Sequence, residues 1–132
     1  MLSEESLSII VEVLRQELSP DFIILFGSFS DDTARPDSDV DIAFLGSIKR
    51  SRYELFMIAQ RLATQLDKDV DLIDLDTAST VLRQQVAHKG ALIFSENEQK
   101  YVEFRMRAYK EYARLNEERA DVLRRFAQGG EE

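Results

Sequence analysis

The chain has 132 residues, 44% of them hydrophobic and 32% charged, with a formal net charge of −8. That length fits one domain with a real core, and that balance fits a globular chain rather than a disordered or membrane one. With no cysteine and a single histidine, His88, disulfides, thiolate metal sites and cysteine nucleophiles are excluded. A histidine-based hydrolase, zinc or RNase centre would rest on one residue, and the acidic surplus argues against tracking a nucleic-acid backbone.

No apolar run reaches membrane-spanning length, and Glu4 and Glu5 stand where a signal peptide would be basic, so a cytoplasmic location is expected. Ser3 can cap a first helix whose first turn holds those two acids. Leu7, Ile10, Val11, Leu14 and Leu18 share one face of it, and Ser19-Pro20 ends it.

Phe22 to Phe26 is an unbroken apolar run, which suits a strand buried on both faces. Gly27 permits a tight turn or a close approach to a ligand, and Ser28 adds a hydroxyl beside the turn's amides, which is phosphate-binding chemistry. A polar loop follows, and then Asp39-Val40-Asp41 opens a second strand. Side chains alternate along a strand, so Asp39 and Asp41 face one way while Val40, Ile42 and Phe44 face the other. Two carboxylates ~4 Å apart repel by roughly 4 kcal/mol at an effective dielectric near 20, so the pair calls for a shared proton or a cation. Oxygen-only ligands favour Mg²⁺, which is usually held by one or two carboxylates and substrate phosphates. In the loop, Arg35 either folds back to a phosphate or is solvated. Ser38, just before the acid pair, joins Gly27, Ser28 and Arg35 as a nucleotide-binding candidate.

Ser51 to Leu66 reads as a second helix with Tyr53, Phe56, Met57, Gln60, Ala63 and Leu66 near one face. Lys49, Arg50 and Arg52 at its start either meet a triphosphate or form a solvated entrance, and the second reading is favoured. Asp69 to Leu75 reads as a third strand, with Asp69, Asp71 and Ile73 on one face and Val70, Leu72 and Asp74 on the other. Thr77 is placed as cap of a third helix lined by Val81, Leu82, Gln85 and Val86, which Lys89-Gly90 closes. Ala91 to Phe94 is a short fourth strand, and Ser95 with Glu98 reads as a capping box.

From Glu96 to about Phe126 no glycine or proline interrupts a helix that would be ~45 Å long. A core of this size has a radius of gyration near ~13 Å, so part of the helix must overhang. Its stripe runs through Tyr101, Phe104, Ala108, Tyr112, Leu115, Arg119, Val122 and Phe126. Tyr112, Leu115, Val122 and Phe126 are the partner-binding candidates, since uncovered apolar stripes mark interaction surfaces. Residues 1–95 thus form a core, and residues 96–128 a helix that packs on it and projects beyond.

Gly27-Ser28, ten residues, and Asp39-x-Asp41 together resemble the signature of the DNA polymerase β-like nucleotidyltransferases, and most closely the MNT (minimal nucleotidyltransferase) antitoxins encoded beside HEPN toxins. The resemblance extends to the Asp69–Leu75 run, the helix after it and the long C-terminal helix. It implies an α+β fold with a mixed sheet, and a third acid flanked by apolar residues. Asp71 matches that position, while Asp74, near the strand end, suits a turn. It further implies two Mg²⁺ ions held by Asp39, Asp41 and Asp71, ATP as substrate, and transfer of AMP to a tyrosine of a HEPN RNase toxin. The family often has a glycine where this chain has Asp32 and a basic residue near Asp31, and two acids there oppose phosphate. Alternative readings are an antitoxin that acts by binding alone and a transferase for a small aminoglycoside-type hydroxyl compound.

Overall fold

The computed structural model describes residues 2–29, 34, 35 and 37–129, so Asp31 and Asp32 and the final three residues lie outside the described residues. The elements run α1 (Glu4–Leu18), β1 (Phe22–Phe26), a 3₁₀ turn (Gly27–Phe29), β2 (Val40–Leu45), α2 (Arg52–Leu66), β3 (Val70–Asp74), α3 (Thr80–Lys89), β4 (Ala91–Ser95) and α4 (Glu98–Gly129). The four strands form one mixed sheet in the order β3-β2-β1-β4. β1 pairs antiparallel with β2 and with β4, and β2 pairs parallel with β3. Phe22 to Leu25 are buried throughout, as an apolar run at the centre of a two-faced sheet requires.

Period-two alternation divides the core. Ile23, Leu25, Val40, Ile42 and Phe44 join α1's Ile10, Leu14 and Leu18 and α2's Ile58 and Leu62 on one face. Phe22, Ile24 and Ala43 join α3's Val86 and Ala87 and α4's Phe104 and Ala108 on the other. Phe22 packs at 5.4 Å, centroid to centroid, against the rings of both Tyr101 and Phe104 and so pins α4 to the sheet. The Arg83–Glu111 ion pair at 3.5 Å adds a polar contact between α3 and α4.

Several local expectations are corrected. Helix α2 buries Ile58, Ala59 and Leu62, while Tyr53 is 71% and Phe56 57% exposed, with Met57 beside them. Both stripes fit helical spacing, but only the buried one is free of Gln60. Ser51 and Glu54 form the capping box that starts α2. Ser79, not Thr77, caps α3, its hydroxyl accepting the Leu82 amide. Ser95 caps nothing: it pairs with Phe22 as the last residue of β4, and the Asn97 side chain accepts the Lys100 amide at the head of α4. At the end of α1, Ser19 takes a left-handed φ of 41° rather than the extended angles expected before proline.

Gly90 ends α3 as expected, but in an extended conformation with φ −74°. It is there for space. A Cβ would sit 2.3 Å from Ile24 Cγ2 and 2.4 Å from the Val86 carbonyl oxygen. Among the described residues no helix is long and apolar enough to cross a membrane.

Candidate active site

The acid face of β2 changes character within two residues. Ala43 is fully buried beneath α3 and α4, Asp41 is half-buried, and Asp39, just before the strand, is exposed. The covering helices therefore leave one end of that sheet face open, and the carboxylates occupy it. The parallel register sets Asp71 of β3 directly beside Asp41, and antiparallel pairing sets Phe26 on Asp41's other side. Asp74 lies on the opposite face, where its Oδ1 accepts the Asp76 amide at 2.9 Å in the turn after β3. The strand thus brings Asp71, not Asp74, to the pair.

Burial raises the pKa of Asp41 above its ordinary value of 3.8, and the charges of Asp71 and then Asp39 push it the same way. The Asp41 carboxylate is thus held against two like charges. Among the described residues, no three acidic or histidine side chains already form a metal cage. An open set of hard oxygen donors fits Mg²⁺, which takes only one or two carboxylates from a protein and completes its shell with water and phosphate.

Gly27 lies against this cluster with φ 72°, and a Cβ on it would come within 2.2 Å of Asp41 Oδ2. The chain turns sharply at this point, directly over a carboxylate oxygen, and only glycine allows both. Ser28 follows in the same 3₁₀ turn, half-buried. In the loop, the Arg35 amide donates to Ser38 Oγ at 2.8 Å and the Ser38 amide to the Arg35 carbonyl at 3.0 Å. These bonds fix the approach to Asp39, while the Arg35 side chain is exposed.

Of the basic cluster before α2, Lys49 and Arg50 are turned elsewhere. Lys49 pairs with Asp76, and Arg50 donates to the Glu17 carbonyl at 2.9 Å, beyond the end of β2 opposite the acids. Lys68, which no sequence pattern singled out, places its Nζ 5.5 Å from the centre of the Phe29 ring, in the turn that holds Gly27 and Ser28. No local signal could have found it, because the contact spans 39 positions, 68 minus 29.

On α4, Phe104 and Ala108 are buried, Tyr112 and Leu115 half-buried, and every residue from Asn116 to Gln128 exposed. Val122 and Phe126 are 61% and 79% exposed. Tyr112 and Leu115 lie just before this exposed stretch.

A Gly-Ser turn over paired strand carboxylates on a small mixed sheet defines a nucleotidyltransferase. The chain belongs to the polymerase β nucleotidyltransferase family, whose model matches residues 9–99. Protein adenylyltransferase MntA of Shewanella oneidensis is 36% identical over 115 residues, covering 86% of this chain and 82% of that relative. Among solved structures, a chain of a toxin–antitoxin with AMP-PNP matches with a TM-score of 0.83 at 36% identity, covering 92% of this chain and 96% of that one. A tri-AMPylated Shewanella oneidensis HEPN toxin in complex with MNT antitoxin matches with a TM-score of 0.80 at 33% identity, with the same coverages.

Proposed function

We propose that this chain is an antitoxin that transfers AMP from ATP to a tyrosine of a partner HEPN toxin and so silences it. The observation that carries the reading is the placement of Asp71 beside Asp41, with Gly27 over the Asp41 carboxylate. Similarity to an adenylyltransferase and to a complex containing an AMPylated HEPN toxin supports the choice of group and acceptor.

In this reading Gly27 and Ser28 hold the β and γ phosphates through turn amides and the Ser28 hydroxyl, with Ser38 and Arg35 beside them. Asp39 and Asp41, with Asp71, would hold the metal ions, and Asp71 lies on the acceptor side. When bound, two Mg²⁺ ions supply positive charge at the entering and leaving oxygens of an in-line displacement. The tyrosine oxygen bonds to the α-phosphorus, the bond from that phosphorus to the oxygen bridging the β-phosphate breaks, and pyrophosphate leaves. Asp71 orients the phenol and takes its proton. The reaction belongs in the cytoplasm, where ATP and Mg²⁺ are available.

Residues 1–95 form the transfer core, and residues 96–128 carry the surface that holds the partner. Label transfer tests the chemistry: the toxin should acquire label from ATP marked at the α-phosphate and none from ATP marked at the γ-phosphate. Label from the γ position would make the chain a kinase. For the helix, Val122→Asp with Phe126→Asp should weaken the complex by about 100-fold or more, as loss of central apolar contacts does. The fold should be unaffected, because both side chains lie outside the core. Unchanged affinity in a titration would remove the overhang from the interface.

A further inference from the structure

Strand β3 is an edge strand, and among the described residues it pairs only with β2. The ladder fixes which of its backbone groups are used. Val40 donates to the Asp69 carbonyl at one end and Leu75 donates to the Phe44 carbonyl at the other. In a parallel ladder the intervening bonds then fall on Asp71 and Ile73. The N–H and C=O groups of Val70 and Leu72, and the N–H of Asp74, therefore point away from the sheet. The Asp74 carbonyl accepts the Thr77 amide at 3.2 Å.

These outward groups do not lie under a helix. A groove of ≈ 410 Å³ runs between α2 and α3, and all five β3 residues line it. Its α2 wall carries Arg52 and the exposed Phe56. Edges of this kind are normally blunted or covered, and an open one is a template for another strand. The groove is also continuous with the site, because Asp71 is both its lining and the neighbour of Asp41.

We propose that this edge is the acceptor dock: an extended segment of the acceptor protein adds to β3 as a fifth strand and presents its tyrosine beside Asp71. The inference rests on the transferase reading above and deepens it. A residue paired opposite Asp71 in an added strand points to the same sheet face as Asp71. Across the sheet the order becomes Gly27 turn, Asp41, Asp71, acceptor, with strands ~4.8 Å apart. Phosphates, metal-holding acid, proton-accepting acid and attacking hydroxyl then stand in reaction sequence. Phe56 supplies an apolar rim to grip the segment, and backbone bonds to Val70, Leu72 and Asp74 set its register.

Hydrogen–deuterium exchange resolved to single amides, on the full chain alone and in complex with the HEPN partner expressed from the same locus, tests the dock. The amides of Val70, Leu72 and Asp74 should exchange at least tenfold more slowly in the complex, while Asp71 and Ile73 are protected in both states. Phe56→Asp, a change at an exposed helix position, should raise the KM for the acceptor about tenfold and leave the KM for ATP unchanged. A complex that forms and accepts AMP with those three amides unprotected and the acceptor KM unmoved overturns the dock and leaves the transferase standing. A wild-type chain that forms the complex but transfers no AMP overturns both.

Discussion

Asp39→Asn with Asp41→Asn is expected to remove AMP transfer, by about 10³-fold or more, the loss that follows when a metal-borne charge worth several kcal/mol to a transition state goes. Binding of the partner should survive, because the exposed residues 116–128 of α4 include neither of these acids. Single-turnover transfer and a binding titration on the same preparation separate the two effects, and equal loss of both would mean that the sites are not separate. Asp41 also lowers stability when no metal is present. Asp41 has a folded-state pKa raised above 3.8, so the folded chain holds its proton more tightly than the unfolded chain. Stability therefore falls as pH rises from that ordinary value through the raised one. Asp41→Asn should melt higher than the wild type in metal-free buffer at neutral pH. The difference should vanish well below pH 3.8, where both states of the wild type are protonated. A wild type that melts higher at neutral pH would show that the acids do not repel as their placement implies.

Gly27→Ala is expected to be nearly as damaging to transfer, although it changes no charge. The new Cβ falls 2.2 Å from Asp41 Oδ2 and 3.2 Å from its Cγ, on a backbone with φ 72°. The left-handed conformation costs an alanine about 1–2 kcal/mol, and relief of the clash must move the carboxylate or the turn. A displacement of ~1 Å in a reacting array costs about 10²-fold in rate. The expected result is a fold that persists, a lower melting temperature and transfer reduced about 10²-fold. Transfer at the wild-type rate would show that the turn over Asp41 has no part in the reaction. Combining Gly27→Ala with Asp41→Asn should then add little further loss, since both act on one carboxylate.

The placement of the candidate acids was largely legible in the sequence because strand alternation is strict. Asp39 and Asp41 had to share a face if Val40, Ile42 and Phe44 were core, and those three are buried together. The third acid needed more. Asp71 and Asp74 both sit between apolar residues, and only the pairing of Asp71 with Asp41 separates them. Which strand neighbours which is a long-range fact that no local pattern carries. The same holds for α2, where two stripes fit the helical period and the sheet decides between them. The misplaced caps have another cause. Ser95 and Thr77 are good caps in isolation, but Ser95 was taken by the β4 ladder, and Thr77 by the turn in which its amide and hydroxyl both donate to the Asp74 carbonyl. The open β3 edge could not be read at all, because an edge is a property of strand order.

Intact-mass spectrometry of the HEPN partner measures directly whether these acids move AMP onto a protein. The partner is incubated with ATP, Mg²⁺ and either this chain or its Asp39→Asn/Asp41→Asn variant. The expected result is a mass gain in AMP-sized steps with the wild type and none with the variant. An unmodified partner in a stable complex with the wild type would contradict such transfer and leave an antitoxin that acts by binding alone.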